Sequence, residues 1–368
     1  MQVVNKKILF ILHLPPPVHG SSLVGEFINK SNIINTTFNC KYINLGTSKS
    51  IDEIGKSGFK KMILYISIIF RTLNQLIAFK PDLVYLAMTA KGIAFYKDMV
   101  MVFLAKLFGI QLVIHFHNKG VSVNQNKSID NFLYKRVFKN TKVILLSKYL
   151  YPDIKKYVKK ENVFYCPNGI PAIGSNENIV KINNDTVQLL FLSNLIESKG
   201  VYVLLKALRI LKSKAISFSC NFVGGIGDIT EEAFNNKVSS LQLQDHVQYL
   251  GKKYDQKKIA VFSNTDIFVL PTFYHNECFP LVLLEASQFA LPMVSTFEGA
   301  IPEIINDGIN GFIIEKNDIA ALADKLELLI KDETLRTKLG NAAFKKFKKE
   351  YTLTKFESNM CTILKSIN

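Results

Sequence analysis

Residues 272–286 read Thr-Phe-Tyr-His-Asn-Glu-Cys-Phe-Pro-Leu-Val-Leu-Leu-Glu-Ala, and they place Glu277 and Glu285 with seven residues between them. The apolar run before this stretch, 266–270, is typical of a buried strand and ends at Pro271. Because proline is tolerated only in the first turn of a helix, a helix is predicted to begin at Pro280. Glu277 then lies in the loop before the helix, and Glu285 lies in its second turn.

The start of this helix, around residues 279–281, is predicted to bind an anion such as a pyrophosphate, because its N–H groups are unpaired and the helix dipole is positive there. Glu277 could reach the hydroxyls of a sugar attached to that pyrophosphate. Glu285 is the only carboxylate in the apolar segment 281–291 and would need hydrogen-bond partners if buried, which ribose hydroxyls could supply. The alternative is that both glutamates are ordinary surface acids.

Short apolar runs alternate with helical stretches on both sides of this motif, which is typical of parallel βαβ units. In the second half, strands are predicted at 187–192, 218–223, 247–250, 267–270, 293–296 and 312–314, and helices at about 319–367 close the chain. In the first half, strands are predicted at 7–13, 83–86, 112–115 and 143–146. A polar stretch, 174–185, is predicted to be the linker between two domains.

The predicted fold is therefore α/β, with two doubly wound domains. Ligands of such sheets bind at the carboxyl ends of the strands, here expected to face a cleft between the domains.

The chain resembles the retaining glycosyltransferases of family 4, which have the GT-B fold of two Rossmann-like domains facing a cleft. The glutamate pair is similar to their E-x7-E motif. Several further segments, in the same order as in the family, are similar to its sequence patterns: 166–170 (Cys-Pro-Asn-Gly-Ile), 191–200 (ending Lys-Gly), 266–271 (Asp-Ile-Phe-Val-Leu-Pro), 299–303 (Gly-Ala-Ile-Pro-Glu) and 310–312 (Asn-Gly-Phe).

The resemblance implies an acceptor-binding domain at 1–170, with a C-terminal helix at about 353–368 packing back onto it, and a donor-binding domain at 171–352. Lys199 would neutralise the donor diphosphate, Glu277 would contact the transferred sugar, and Glu285 would contact the ribose. His117 would lie near the reacting centre; His115 competes for this role because alternation puts both on one side of a strand. The implied donor-binding residues are Glu285, Asn194, Gly225, Cys278, Phe279, Pro280 and Leu281.

Three positions depart from the family pattern. Asn194 stands where an arginine is usual, which would leave diphosphate neutralisation to Lys199 and backbone N–H groups. Cys278 and Ala290 each replace a glycine.

Two glycine-containing loops follow predicted strands. The resemblance makes Gly20 and Ser21, in the loop after the first strand, candidate ligand contacts, although a structural turn there, including His19, explains the sequence equally well. Gly225, within residues 224–227 (Gly-Gly-Ile-Gly), could lie near the nucleotide, or the glycines could serve a tight turn with positive φ.

Charge is unevenly distributed along the chain. Residues 1–170 contain 24 Lys/Arg and 8 Asp/Glu, whereas residues 171–368 contain 22 of each. Such asymmetry predicts an anionic partner for the first half, and we favour an anionic membrane surface or a lipid-diphosphate acceptor. Segment 59–79 mixes basic and apolar residues, as an interfacial helix does, although a core-facing helix explains the same pattern.

The remaining features narrow the class of protein. No apolar run reaches the roughly twenty residues of a bilayer crossing. The number of cysteines, five, is odd and none are at metal-ligand spacing, which fits a reducing compartment better than a disulfide framework. We therefore expect a cytoplasmic enzyme, peripheral to the membrane. It would need no metal, since the sequence has no Asp-x-Asp motif. It would need no cofactor, because the nucleoside diphosphate sugar is a substrate. UDP is the favoured nucleotide by its frequency in the family.

The expected acceptor is a lipid-linked or surface polysaccharide or lipopolysaccharide intermediate. Three alternatives remain open: a nucleotide-sugar 2-epimerase, a glycoside phosphorylase, and a basic nucleic-acid-binding protein. The last is disfavoured because the sequence carries no recognition motif.

Overall fold

The computed structural model describes residues 6–47, 58–173 and 186–367, so the predicted linker at 174–185 lies outside the described residues. The chain divides into two compact units. The first comprises Met1–Gly169 and Leu353–Asn368, and the second comprises Ile170–Thr352.

The first unit is built on a six-stranded parallel sheet with the strand order β2-β1-β3-β4-β5-β6. Its strands are β1 (Lys7–Leu12), β2 (Asn39–Asn44), β3 (Leu83–Met88), β4 (Gln111–Phe116), β5 (Lys142–Leu145) and β6 (Val163–Tyr165). Its helices before the second unit are α1 (Gly20–Lys30), α2 (Asn32–Thr37), α3 (Phe59–Ala78), α4 (Gly92–Leu107), α5 (Val121–Asn124) and α6 (Ser128–Phe138).

The second unit has its own six-stranded parallel sheet, ordered β12-β11-β10-β7-β8-β9. Its strands are β7 (Gln188–Leu192), β8 (Ser219–Val223), β9 (Val247–Tyr249), β10 (Ile267–Leu270), β11 (Met293–Thr296) and β12 (Gly311–Ile314). Its helices are α7 (Val201–Ser213), α8 (Glu231–Ser240), α9 (Asp255–Ser263), α10 (Leu281–Gln288), α11 (Ile301–Ile304), α12 (Ile319–Lys331) and α13 (Glu333–Glu350). The strand order reverses direction between β7 and β10, which pair with each other.

The last helix, α14 (Leu353–Ser366), belongs to the first unit. Its residues Phe356, Met360 and Leu364 are buried in one cluster with Phe10 of β1 and Ile34 of α2. The amphipathic spacing of these apolar residues, at i, i+4 and i+8, explains why one helical face closes this core.

Burial explains the strand composition. All six residues of β3, Leu-Val-Tyr-Leu-Ala-Met, are buried, as expected for a central parallel strand covered by helices on both faces. Strands β2 and β6 were not predicted. The edge strand β2, Asn-Cys-Lys-Tyr-Ile-Asn, is largely polar, and β6 has only three residues, so neither shows the continuous apolar run of a central strand.

Helix α3 differs from the core-facing interpretation of its sequence. Its buried residues are confined to a narrow stripe, Ile68, Thr72 and Leu76, while several large apolar side chains point to solvent. Among the described residues, α3 is the one helix whose length and composition would allow it to cross a membrane.

Candidate functional site

The loops that follow β7 and β10 meet at the point where the strand order of the second sheet reverses. Ligands of doubly wound sheets bind at such switch points, outside the carboxyl ends of the strands. The loop after β7 contains a 3-10 turn, Glu197–Lys199, and the loop after β10 contains Glu277. The two loops are joined by a hydrogen bond from the Phe273 N–H to the Ser198 carbonyl, with an N···O distance of 2.7 Å.

This junction brings the two predicted catalytic residues of the second unit together. The Nζ atom of Lys199 lies 2.6 Å from Oε2 of Glu277, and it also lies 4.7 Å from the centre of the Tyr274 ring. The two side chains are only 17% and 8% exposed. Removing one partner of an ion pair with so little exposure is costly, so each charge needs either the other or ligand groups that take its place.

Glycine is required at position 200 for the loop after β7 to lie this close to the loop after β10. Gly200 has a φ of +90°, and a Cβ atom there would lie 2.2 Å from the carbonyl oxygen of Pro271. The glycine after Lys199 is therefore explained by sterics, because only a residue without a side chain allows the turn that carries Lys199 to contact the end of β10.

Helix α10 begins at Leu281, one residue later than predicted, with Pro280 as its N-cap. Glu285 lies in the second turn, as predicted. The side chains of Cys278 and Phe279 are buried, and the Cys278 carbonyl accepts a hydrogen bond from the Ala300 N–H. These two residues can therefore meet a ligand only through backbone atoms, which is consistent with an anion site made of N–H groups at the helix start.

The argument from a buried carboxylate does not apply to Glu285, which is neither buried nor without a protein partner. Glu285 is partly exposed, and its Oε1 accepts a hydrogen bond of 2.6 Å from Nζ of Lys258, on α9. Sequence reasoning missed Lys258 because the two residues come from different helices and are 27 positions apart. A ribose hydroxyl would have to share this carboxylate with the lysine.

Asn194 and Gly225 also lie together, at the carboxyl ends of β7 and β8. Oδ1 of Asn194 accepts a hydrogen bond of 3.0 Å from the Gly225 N–H, so the amide ties the two loops together. A Cβ atom on Gly225 would lie 2.4 Å from Cε of Lys252, which follows β9. Lys252 is a further candidate that the sequence did not single out. The alternative role predicted for the glycines holds at Gly224, which has a φ of +152° and no room for a side chain beside Ser193.

The remaining predicted site residues lie in the first unit. His117 directly follows β4 and is partly exposed, whereas His115 is fully buried within the strand. Gly20 and Ser21 begin α1, with His19 as the N-cap. Nδ1 of His19 accepts from the Ser22 N–H, and Oγ of Ser22 accepts from the His19 N–H, so His19 has the structural role that the sequence left open.

Four histidines gather at this end of the first sheet. The rings of His115 and His117 have centroids 4.1 Å apart, and those of His13 and His19 are 6.1 Å apart. Burial, with smaller contributions from His13 and His19, lowers the pKa of His117 to about 3. Burial likewise lowers the pKa of His13 to about 4. These imidazoles are neutral at pH 7, so they can donate and accept hydrogen bonds without carrying charge.

Metal ligands are not grouped in the part of the chain that the structure describes: no set of three or more His, Cys, Asp or Glu side chains is arranged to hold an ion. All five cysteines are free thiols.

Comparison with known proteins gives matches to glycosyltransferases. Residues 173–346, within the second unit, match the profile of the family described as "Glycosyl transferases group 1". The capsular polysaccharide biosynthesis glycosyltransferase CapM of Staphylococcus aureus is 31% identical over 190 residues, which are 50% of this chain and 48% of CapM. The amylovoran biosynthesis glycosyltransferase AmsK of Erwinia amylovora is 27% identical over 223 residues, 59% of this chain and 54% of AmsK. The chain thus spans about half the length of these curated relatives.

Solved structures match over nearly the whole chain. A glycosyltransferase from Rickettsia africae superimposes with a TM-score of 0.77 at 19% identity, covering 99% of this chain and 98% of its own. HepE of Anabaena, solved in complex with UDP-glucose, superimposes with a TM-score of 0.72 at 16% identity, covering 98% of this chain and 99% of its own. The fold is GT-B. The fold prediction is confirmed, including the C-terminal helix that packs onto the first unit.

Proposed function

We propose that this protein is a retaining glycosyltransferase of polysaccharide biosynthesis that uses a nucleoside diphosphate sugar as donor. The observation that carries the proposal is the Lys199–Glu277 ion pair at the switch point of the second sheet. It is supported by the family profile, which covers this unit, and by relatives such as CapM and AmsK, whose names place them in capsular polysaccharide and amylovoran biosynthesis. UDP is the favoured nucleotide because HepE, of the same fold, binds UDP-glucose.

In the proposed donor complex, the ion pair opens and each partner takes a ligand group. Lys199 moves to the diphosphate, whose negative charge replaces that of Glu277. Glu277 accepts hydrogen bonds from hydroxyls of the transferred sugar. The backbone at the start of α10, around Leu281, adds N–H donors to the phosphates. Glu285 binds the ribose, and the loops of Asn194 and Gly225 border the nucleotide.

The proposed reaction breaks the bond between the anomeric carbon and the donor diphosphate and forms a bond from that carbon to an acceptor hydroxyl oxygen. The acceptor attacks from the face that the diphosphate leaves, and its proton passes to a diphosphate oxygen. Lys199 stabilises the negative charge that develops on the leaving group. Glu277 orients the sugar and is not a nucleophile, and no metal or cofactor is needed.

The proposed acceptor is a glycan or lipid-linked glycan intermediate held by the first unit, residues 1–169 with α14. His117 would contribute a hydrogen bond from a neutral imidazole to a substrate hydroxyl. Gly20 and Ser21 are proposed contacts because Gly20 has open space where a side chain would stand, so a ligand could approach its backbone closely.

The donor proposal is tested first by screening nucleoside diphosphate sugars for thermal stabilisation, because a ligand that binds the folded state raises its apparent stability. Transfer to an acceptor extract is then measured with the stabilising donor for Lys199→Ala and Glu277→Ala. Both variants should lose transfer. Lys331→Ala, which removes the lysine of an exposed ion pair in the same unit, is the control and should keep it.

Retained transfer in both site variants would overturn the proposal. Epimerised sugar formed from donor alone would identify a 2-epimerase instead, and phosphate-dependent cleavage of a glycan would identify a phosphorylase. Tight nucleic-acid binding without donor binding would favour the nucleic-acid alternative.

We further propose that the enzyme works at the cytoplasmic face of the plasma membrane, bound to anionic lipid through the first unit. Phe59, Ile63, Ile66, Phe70 and Ile77 form an exposed apolar stripe along α3, with Phe59 72% and Phe70 67% exposed. Lys60 and Arg71 are exposed on the same helix, which has no acidic residue. An apolar face bordered by basic side chains favours a helix lying in the lipid interface.

Neighbouring helices of the first unit also expose large apolar side chains. Helix α3 packs against α4, where Ile93 and Leu107 are exposed, and α4 packs against α6, where Ile129 and Phe132 are exposed. Apolar burial supplies the binding energy of such a surface, and each lysine or arginine near an anionic bilayer adds about 1 kcal/mol.

Flotation with phosphatidylglycerol-containing vesicles tests the membrane proposal. The wild type should float with anionic vesicles at low salt and less at high salt. The variant Phe59→Ser/Ile63→Ser/Phe70→Ser should remain in the soluble fraction. The control Phe297→Ser/Ile309→Ser, which removes exposed apolar side chains of the second unit, should float like the wild type. Failure of the wild type to float even at low salt would contradict the proposal.

A further inference from the structure

His115 and His117, two residues apart at the end of β4, each have a ring nitrogen without a hydrogen-bond partner in the described part of the chain. Nε2 of His115 and Nδ1 of His117 are both buried, and neither forms a hydrogen bond among the described residues. The two rings are in contact, with centroids 4.1 Å apart and planes inclined by 43°. Buried polar atoms are seldom left unpaired, so these two atoms call for a common explanation.

The proton on His115 is fixed by Tyr85. The Tyr85 hydroxyl, on the neighbouring strand β3, lies 2.6 Å from Nδ1 of His115, and both residues are fully buried. Burial raises the pKa of Tyr85 far above its usual value, so the phenol keeps its proton. Because no other acceptor for that proton is recorded among the described residues, the phenol donates to Nδ1. A neutral His115 that accepts at Nδ1 must carry its hydrogen on Nε2.

We infer that Tyr85 and His115 are positioning residues that fix the tautomer of His117. The Nε2–H group of His115 is a donor without an acceptor, and Nδ1 of His117 is the nearby nitrogen without a partner. When the two nitrogens pair directly after a small ring movement, Nδ1 of His117 is the acceptor and its hydrogen is on Nε2. His117 then presents an N–H donor to a substrate oxygen.

This arrangement also separates the roles of the two histidines. His115 is fully buried and cannot touch a substrate, whereas His117 follows the strand and is partly exposed. Since Nδ1 of His117 is buried, Nε2 is the ring nitrogen left to reach a ligand. The sequence Ile-His-Phe-His, residues 114–117, thus holds one contact residue and one residue that orients it.

The tautomer is measured directly by two-bond ¹⁵N–¹H correlation spectra of the full chain labelled at histidine, with His117 assigned from its loss in His117→Gln. The wild type should show His117 as the Nε2–H form between pH 6 and 8. Tyr85→Phe should give a mixture of tautomers at His117. A wild-type His117 in the Nδ1–H form, or no change in Tyr85→Phe, would overturn the inference.

A matched pair of variants at His115 supplies the kinetic readout, which rests on the proposed transferase function. His115→Gln keeps an N–H donor near the position of Nε2, whereas His115→Leu removes it. We expect His115→Leu to lower kcat about tenfold with the donor KM unchanged, and His115→Gln to stay within about threefold of the wild type. Equal losses in both would overturn the positioning role.

Because the spectra do not depend on transfer, failure of the proposed function would leave the tautomer result standing, and the reverse also holds. If His115→Leu fails to fold, Tyr85→Phe, which removes a single oxygen atom, keeps the inference testable.

Discussion

The two units handle charge in opposite ways. In the second unit the basic residues of the candidate site are matched with acids: Lys199 with Glu277 and Lys258 with Glu285. The first unit contains the whole basic excess of the chain, yet its candidate site is a group of four histidines that are neutral at pH 7 because burial lowers their pKa values. Paired ions can exchange partners with a charged ligand, whereas neutral imidazoles offer one N–H donor and one nitrogen acceptor, which suit an uncharged hydroxyl. The difference suggests a division between a unit that binds a diphosphate and a unit that binds an uncharged hydroxyl.

The largest effect that would test this division is expected at the Lys199–Glu277 pair. Lys199→Met leaves the carboxylate of Glu277 almost buried and unpaired, which should destabilise the protein by about 3 kcal/mol. It should also lower transfer by a factor on the order of 10²–10³, because the leaving diphosphate loses its cation. Urea denaturation and initial rates measure the two effects separately.

The double variant Lys199→Met/Glu277→Gln distinguishes structural from chemical roles. Without a buried charge it should recover most of the lost stability and none of the activity. Lys331→Met is the control, since its exposed pair with Glu327 should contribute less than about 1 kcal/mol. Recovery of transfer in the double variant would show that the pair is structural only.

A further effect, on stability, is expected when the first unit is acidified. The pKa values of His13 and His117 are lowered to about 4 and 3, mainly by the loss of solvent around their rings, and the pKa values of His19 and His115 are lowered as well. Unfolded histidines bind protons below about pH 6.5, so the unfolded state binds more protons than the folded state between that pH and the lowered pKa values. Stability therefore falls as the pH drops through this window, by up to about 1.4 kcal/mol per pH unit for each histidine.

One group of the first unit acts in the opposite direction. Burial raises the pKa of Asp98 to about 6, so below pH 6 the folded state holds a proton that the unfolded state releases, which adds stability. One carboxyl group opposes four histidines, and the net effect of acid should be loss of stability. Hydrogen exchange at pH 7.5 and 5.5, corrected for intrinsic rates, should show more protection lost in β3 and β4 than in β7 and β10. Equal losses in both sheets would contradict this expectation.

The next effect sharpens the comparison within the second unit. Glu285→Gln should weaken binding of the nucleoside diphosphate by about tenfold, because a hydrogen bond to a charged group contributes about 1.5–3 kcal/mol. Lys258→Ala should weaken it less, since it removes only the residue that holds the carboxylate. Isothermal titration calorimetry with the nucleotide measures both. An effect of Lys258→Ala larger than that of Glu285→Gln would indicate that the lysine is the ligand contact.

The sequence predicted the second unit better than the first, and the reason is physical. Central parallel strands such as β10 are continuous apolar runs, so the loop that carries Glu277 could be placed without coordinates, and Lys199 was implied by the family resemblance. The distance between the two residues could not be predicted, because it depends on a left-handed glycine at position 200 and on how two loops meet. Lys258 was missed for the same reason: its pairing with Glu285 is set by helix packing and not by spacing.

In the first unit, similar patterns had different outcomes. The alternation of side chains predicts His115 and His117 on the same side of the strand and could not distinguish their roles. Alternation does not predict the residue at which β4 ends and the chain becomes exposed. The mixed apolar and basic pattern of α3 fitted both a core helix and a surface helix. Only packing decides that question, and just three of its residues are buried.

Lys252 should give the smallest effect, and it differs from Lys199 and Lys258 in having no acidic partner in the described part of the chain. It is exposed beside Gly225, and among the described residues no acid is paired with it. Asn194, which stands where the resembled family has arginine, is occupied by its bond to the Gly225 N–H. In the proposed donor complex, we therefore expect Lys252 to supply the positive charge that the arginine would provide.

Lys252→Ala should weaken nucleoside diphosphate binding about three- to tenfold at low salt and less at high salt, since an exposed charge is screened. Stability should change by less than about 0.5 kcal/mol because the side chain is at the surface. Lys252→Arg should bind like the wild type, and Lys253→Ala is the neighbouring control. If Lys253→Ala has the larger effect, the compensating cation is the adjacent lysine. If neither variant weakens binding, the diphosphate charge rests on Lys199 and backbone N–H groups alone, and only paired lysines of the second unit serve the donor.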